Sequence, residues 1–340
     1  MMKTPKPVTL ISPAISWQSQ LAQAITDPLQ LLQALGIDPA LFPSCQQAHQ
    51  SFQVKVPHSY LAKIKQGDPT DPLLLQVMAS TLELVSAEGF THDPVGDLNA
   101  VRTPGLLHKY AGRVLLITTS ACAIHCRYCF RRHFPYDQQQ PARQHWQAAL
   151  DYIRSQPDIS EVILSGGDPL SLSDQKLAEL LAELDTIPQL KRLRIHSRMP
   201  VVLPERITQS LIDIIARSRL QPCVVIHANH ARELGKAEQY ALAQLKTAGI
   251  TLLNQSVLLH NINDNATSLA DLSERLYECG VLPYYLHRLD AVAGAAHFDV
   301  GEAEALALMS ELRSRLPGYL VPRLVRETAG ENSKTPVFGL

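Results

Sequence analysis

Three cysteines, Cys122, Cys126 and Cys129, stand at C-x3-C-x2-C spacing with no fourth cysteine nearby. Three thiolates can hold three corners of a cubane 4Fe–4S cluster, which ordinarily takes four protein ligands. The uncapped iron would then be free to bind a small molecule through its nitrogen and oxygen atoms. A structural zinc site is the first competing reading. Tetrahedral zinc takes four ligands, usually as two close pairs far apart in sequence, and His125 or His133 could complete a Cys3His set. His125, however, falls between Cys122 and Cys126, an awkward place from which to wrap one ion. Core cysteines at a coincidental spacing are the second competitor. The flank favours the cluster: Arg113–Thr119 is apolar and β-branched, so the cysteines leave the C-terminal end of a buried strand on a loop.

Other candidates are less specific on their own. Ser165-Gly-Gly-Asp-Pro-Leu170 follows a second strand-like run, and its glycines would let backbone approach a ligand closely. An ordinary strand-to-helix turn is the plainer reading. Lys334 lies in the turn-rich Ala329–Pro336, where composition alone gives a solvated lysine.

The elements that must position these residues alternate. Strands are expected over Val114–Thr118, Glu161–Ser165, Arg192–His196, Cys223–Ala228, Thr251–Ser256 and Leu282–His287. Helices are expected between and after them, over Arg143–Arg154, Asp174–Leu184, Pro204–Ser218, Lys236–Ala248, Ser268–Cys279 and Glu302–Arg315. Repeated βα units imply a parallel sheet whose ligands gather at the C-terminal strand ends. Six units are too few for a closed eight-stranded barrel. The first hundred residues read as helices and irregular connections. Asp27-Pro28 opens one helix that Gly36 closes, and Pro57–Lys65 and Pro72–Ser80 are two short amphipathic candidates. This part shows no identifiable chemistry and reads as a cap on the catalytic domain.

At 340 residues the chain can bury one large core or two modest ones, and its formal net charge is −1. Neither a polybasic face for nucleic acid nor an acidic tail is present. The N-terminal stretch is broken by proline, unlike a signal sequence, and no run approaches membrane-span length. Cys45, Cys223 and Cys279 are scattered, which suits reduced core thiols and a cytoplasmic home.

The cysteine spacing after a first strand, with an aromatic (Tyr128) before the third cysteine, resembles the signature of radical S-adenosylmethionine (SAM) enzymes. The wider context, from about Pro104 to Pro336, is similar to the lysine 2,3-aminomutase family, in particular the branch that makes β-lysine for modification of translation elongation factor P. The resemblance implies an open (β/α)6 partial TIM barrel with an N-terminal helical cap over residues 1–103, a core over 104–316 and a C-terminal segment over 317–340. It implies a 4Fe–4S cluster on Cys122, Cys126 and Cys129, with SAM on the open iron. Gly166, Gly167 and Asp168 match the family's glycine-rich SAM motif, with Asp168 where glutamate is usual, and Arg198 and His227 match SAM contacts. Pyridoxal 5′-phosphate (PLP) would bond covalently to Lys334, which makes Lys334 the catalytic residue. Only Gly330 is kept of the glycines that usually precede that lysine. Lys109, Tyr110, Arg113 and Gln255 match residues around PLP; from the sequence alone the first three would pass as a solvated turn before a strand. Arg131 matches the arginine that binds the substrate carboxylate, and Asp290 and Glu327 match acids that hold the distal ammonium of lysine. A glutamate-specific mutase would place a cation or an amide there.

The implied reaction is a radical 1,2-amino shift, an isomerisation of free L-lysine to (R)-β-lysine. The product would be passed to the ligase that modifies elongation factor P. Two alternatives stay in view: a radical SAM enzyme without PLP, and a zinc-stabilised binding module without catalysis. The zinc-binding C-terminal extension of better-known relatives is not matched, and Asn265 stands near a position where they carry a cysteine. No zinc is therefore expected, and a homo-oligomer is possible without the relatives' tetramer being implied.

Overall fold

The computed structural model describes residues 16–139 and 145–338. The proline-broken N-terminal stretch and the first residues of the helix expected from Arg143 lie outside them. One ten-stranded sheet runs in strictly sequential order. Its strands are β1 (Val101–Thr103), β2 (Leu106–Tyr110), β3 (Arg113–Thr119), β4 (Glu161–Gly166), β5 (Arg192–Ser197), β6 (Gln221–Ile226), β7 (Thr251–Val257), β8 (Leu282–His287), β9 (Arg323–Arg326) and β10 (Thr335–Pro336). From β3 to β9 every pairing is parallel. The crossovers carry helices His145–Ser155, Asp174–Asp185, Gln209–Arg217, Lys236–Thr247, Ala266–Glu278 and Glu302–Arg315. This is the expected open, partial-barrel α/β architecture. Antiparallel strands close it at each edge: β1 and β2 on one side, β10 on the other.

Three departures from the sequence expectation have local causes. Lys109 and Tyr110 sit in a strand rather than a solvated turn, because Gly112 (φ +73°) reverses the chain and Tyr110 pairs with Arg113. β9 offers only two apolar residues between arginines, too short a run to read as a strand. The helix expected over Pro204–Ser218 begins at Gln209, where the Thr208 side chain accepts the Leu211 amide at 3.2 Å.

Alternation along the strands divides the barrel. On β7, Leu252, Asn254 and Ser256 are buried, while Leu253, Gln255 and Val257 face a central cavity. The same period of two turns Arg192, Arg194 and His196 inward from β5. Over β3 to β7 the outward face packs under the helices in a cluster that also takes in Trp17, Leu31, Leu35, Tyr60 and Leu73 of the N-terminal region, while Leu286 of β8 and Leu324 of β9 join the helix Glu302–Arg315 in a second. The helix capped by Asp27 and closed by Gly36 (φ +66°) forms as expected. The other two N-terminal candidates shorten to His58–Leu61 and Pro72–Leu75. Leu73, Leu74, Val77, Met78 and Ala79 are buried on every side, so tertiary contacts rather than an amphipathic face set that path.

The N-terminal region also grips the cysteine loop. Lys55 donates to the Cys122 carbonyl at 2.8 Å, and the Arg127 amide donates to the Gln76 carbonyl at 2.9 Å. Glu83 accepts from Arg127 Nε at 2.9 Å and from Arg132 Nη2 at 2.7 Å, with all three side chains almost wholly buried. Among the described residues no helix is long and apolar enough to cross a membrane. Glu83→Gln would leave two buried guanidinium groups short of a countercharge. The expected loss of stability is about 3–5 kcal/mol, read by urea denaturation. An unchanged midpoint would show that this ion cluster does not hold cap and loop together.

Candidate functional site

A cavity of about 580 Å³ runs along the barrel axis. At the C-terminal strand ends it is bounded by Cys122, Cys126, Cys129, Asp168, Arg198 and His227; at the opposite end lie Arg113, Glu161 and Arg192, which are register partners on β3, β4 and β5. Asp290, Glu327 and Lys334 border the same space from the β8–β10 side. The geometry thus brings together every residue that the sequence resemblance assigns to cluster, SAM, PLP or substrate.

The cysteine loop is seated by the two glycines that follow β4. The Gly167 amide donates to the Thr119 carbonyl at 2.7 Å and the Asp168 amide to the Ala121 carbonyl at 2.8 Å. A Cβ on Gly166 (φ +119°) would lie 2.6 Å from the Thr119 carbonyl oxygen, and one on Gly167 would lie 2.5 Å from that of Ala121. Those two amides therefore serve the loop. The Asp168 carboxylate is likewise occupied, accepting from Ser197 Oγ at 2.7 Å and from the Leu170, Arg198 and Met199 amides at 2.8–3.1 Å. It ties the end of β4 to the end of β5.

All six cysteines are free thiols. Burial pushes the thiols of Cys122 and Cys129 up, the latter to about 11; Cys126 adds to the cost of ionising both, and Cys129 to that of Cys122. Buried thiolates need a metal or a cation beside them. Arg198 supplies one, with Nη1 2.7 Å from Cys126 Sγ while Nη2 is held by Gln76 Oε1 at 2.7 Å and Glu233 Oε2 at 2.8 Å. This donor set, three thiols at one end of the cavity, fits an iron–sulfur cluster. Among the described residues no group of three His, Cys, Asp or Glu side chains is gathered around a single-ion position. The two histidines offered to zinc are turned elsewhere: His125 Nδ1 meets the Gln53 carbonyl at 2.8 Å and His133 Nε2 the Ala293 carbonyl at 3.0 Å. His227 Nε2 lies 2.8 Å from the Tyr128 hydroxyl, and burial takes its imidazole down to about 3, so it is uncharged. Cys223, expected in the core, borders the cavity beside Arg194 instead.

The wall that carries Lys334 is a run of charges. Lys334 Nζ sits 2.6 Å from Glu327 Oε2, and Glu327 Oε1 sits 2.9 Å from Lys109 Nζ. Burial works against ionisation of Glu327, but the two ammonium groups more than offset it and hold its carboxyl well below the usual range. Lys109 donates further to Asp97 Oδ1 at 2.6 Å and to the Val95 carbonyl at 2.8 Å. Asp97 Oδ2 in turn holds Arg131 Nε at 2.7 Å, and Arg131 Nη1 reaches Ser165 Oγ at 3.1 Å. Asp290 has no such partner; burial pushes its carboxyl up to about 7. Tyr110 stacks under Arg113 at 4.6 Å.

The sequence reading found no chemistry in the first hundred residues, and here the structure corrects it. Asp97 and Gln76 both reach the site, the first through Arg131 and Lys109, the second through Arg198. Arg192, Arg194, Glu233, His196 and His287 were also missed. The inward period of β5 could have marked Arg192, Arg194 and His196; nothing local marks Asp97, a polar residue in a turn-rich stretch.

Residues 116–272 match the Radical SAM superfamily. An L-lysine 2,3-aminomutase of Escherichia coli (strain K12) is 50% identical over 97% of this chain and 97% of its own length. The enzyme of the same name from Haemophilus influenzae is 48% identical over 94% and 95%. That of Clostridium subterminale is 35% identical over 95% of this chain and 77% of its own. The chain belongs to the lysine 2,3-aminomutase family of radical SAM isomerases. The loop that carries Cys122, Cys126 and Cys129 lies within the matched residues. Its seating generates a test: Gly167→Ala should destabilise the fold by about 1–3 kcal/mol through overpacking and lower the iron retained after anaerobic reconstitution. Unchanged iron and stability would show that the close approach of loop and turn is dispensable.

Proposed function

We propose that this chain is an L-lysine 2,3-aminomutase that uses PLP as well as SAM, and that its product is (R)-β-lysine for the modification of elongation factor P. The observation that carries the chemical part is the shared cavity: a three-thiol end and an amine–carboxylate wall face one space. In this reading residues 1–103 cap the barrel, 104–316 form the catalytic core and 317–340 deliver Lys334, in a protein of the reducing cytoplasm. The name of the relatives, L-lysine 2,3-aminomutase, supports the amino-acid substrate. The link to elongation factor P and its ligase rests on the sequence resemblance.

When bound, the cluster and SAM supply hydrogen abstraction from an unactivated carbon, and PLP supplies a ring that delocalises an unpaired electron. Cys122, Cys126 and Cys129 would hold the cluster, and Gly166, Gly167, Asp168, Arg198 and His227 would border SAM. Lys334 offers the primary amine to which PLP bonds, and Arg113 the guanidinium for its phosphate, with Tyr110 and Gln255 along the ring. Arg131 would orient the substrate carboxylate; its guanidinium keeps one nitrogen beyond those used by Asp97 and Ser165. Glu327 and Asp290 would receive the distal ammonium. Glu327 already accepts two ammonium groups, those of Lys334 and Lys109, so its environment suits that charge. His196 and His287 are held uncharged by burial, so neither ring adds a cation against the ligand's own.

Two outcomes are expected. Anaerobic protein given SAM, PLP and reductant should convert labelled L-lysine to β-lysine, and borohydride should fix PLP on wild type but not on Lys334→Ala. Conversion without any fixed label would favour a radical SAM enzyme that needs no PLP; absence of iron and of conversion would favour a binding module. The second concerns pH. Free Asp290 is protonated below about 7, and seating an ammonium requires its ionised form. Lysine affinity should therefore rise with pH up to about 7, by up to about tenfold per unit, and level off above it. Asp290→Asn should flatten that rise in isothermal titration; a persistent slope would remove Asp290 from the ammonium seat.

A further inference from the structure

The three sulfurs of the cysteine loop meet different surroundings. Among the described residues Cys126 alone has a side-chain cation at hydrogen-bond distance, Arg198 Nη1 at 2.7 Å. The other terminal nitrogen, Nη2, donates to Gln76 Oε1 at 2.7 Å and to Glu233 Oε2 at 2.8 Å. Both anchors are themselves held. Gln76 Nε2 reaches Glu233 Oε1 at 3.2 Å, and that oxygen also accepts the Asn229 and His230 amides at 2.8 and 3.0 Å. The backbone is fixed too, because Asp168 Oδ2 accepts the Arg198 amide at 2.8 Å. Gln76 and Glu233 are fully buried, and Arg198 is only 7% exposed. Its guanidinium carbon lies 5.5 Å from the ring centroid of Tyr60 and 5.8 Å from that of Tyr128. A guanidinium carries five N–H donors. Three are engaged here, which leaves the one on Nε and a second on Nη1.

We propose that Arg198 donates a hydrogen bond to the Cys126 sulfur in the loaded protein and thereby raises the reduction potential of the cluster, with Gln76 and Glu233 holding the guanidinium in place. The inference rests on the cysteine trio holding that cluster. One-electron reduction by an external low-potential donor adds a negative charge that spreads onto the sulfur ligands. A cationic donor on one of those sulfurs stabilises the reduced form more than the oxidised form, and hydrogen bonds to the sulfurs are among the factors that set such potentials. The Glu233 carboxylate does not cancel the effect. It meets the guanidinium through Nη2, so the cationic end of the pair is the one that faces the sulfur. Burial beside two aromatic rings keeps the local dielectric low, which strengthens the contact. The second hydrogen of Nη1 leaves the same guanidinium able to border SAM. Through Gln76, the N-terminal region takes part in setting the redox poise.

The test is anaerobic potentiometry of the reconstituted holoenzyme without SAM, with titanium(III) citrate as reductant and electron paramagnetic resonance as readout. Wild type, Arg198→Met and Arg198→Lys are compared. Arg198→Met should lower the reduced-to-oxidised ratio at a fixed potential by about tenfold or more, a downward shift of about 59 mV per tenfold for one electron. Arg198→Lys keeps a cation beside Glu233 but cannot offer separate nitrogens to the carboxylate and the sulfur. Its potential should shift the same way by less. Wild type grown on arginine carrying nitrogen-15 in the guanidino group should show a weak nitrogen-15 coupling to the reduced cluster, which Arg198→Lys lacks. That coupling keeps the proposal testable if both variants lose iron, and its absence from wild type would overturn it. Unchanged potentials in the variants would overturn it as well; joined to weakened SAM binding, they would make Arg198 a SAM contact alone. Wild type that retains no iron after reconstitution would remove the cluster reading and this proposal together.

Discussion

Polar groups inside a parallel barrel have to be paired, and that constraint organises this molecule. Each strand turns alternate side chains toward the axis, and many of those side chains are charged. A buried charge without a partner is far costlier than a surface one. The structure meets the cost by alternating signs across separate segments, so that Arg131, Asp97, Lys109, Glu327 and Lys334 stabilise one another in sequence. The same logic recurs beneath the cysteine loop, where Glu83 joins Arg127 and Arg132, and again where Glu233 steadies Arg198. Site geometry and core stability are therefore one problem here, because the ion pairs that keep the charges buried also set the distances between binding groups.

The N-terminal region shows how far that coupling extends. It shares a hydrophobic cluster with the outer layer of the barrel, yet its polar residues point the other way. Lys55 meets the Cys122 carbonyl, Gln76 meets Arg198, and Asp97 meets both Arg131 and Lys109. A segment that reads as a cap thus supplies second partners to the groups that would bind cluster and substrate.

Much of this was legible from the amino-acid order, for reasons that can be stated. Six strands and their crossover helices were visible because apolar runs of β-branched residues alternate with helical periodicity, and a parallel sheet follows from that order alone. The cysteine trio and the glycine pair were visible because their chemistry is rare and their spacing local. What escaped was either short or non-local. β9 has two apolar residues, too few for a periodic signal. The hairpin of β2 and β3 is fixed by pairing across Gly112 rather than by composition. Asp97 becomes informative only when the fold carries Arg131 and Lys109 to it, and no window of sequence contains all three. The glycines after β4 were found for a related but different reason, since their tightness serves the neighbouring loop.

The central claim is that three thiolates hold a cluster with one iron open to SAM, inside the cavity that also receives Lys334. Electron paramagnetic resonance of the anaerobically purified, reduced protein tests it most directly, with and without SAM carrying nitrogen-15 at its amino group. The account predicts a reduced 4Fe–4S signal that SAM perturbs, with a nitrogen-15 coupling that shows direct ligation of iron. A colourless protein containing stoichiometric zinc, or a cluster signal indifferent to SAM, would contradict it.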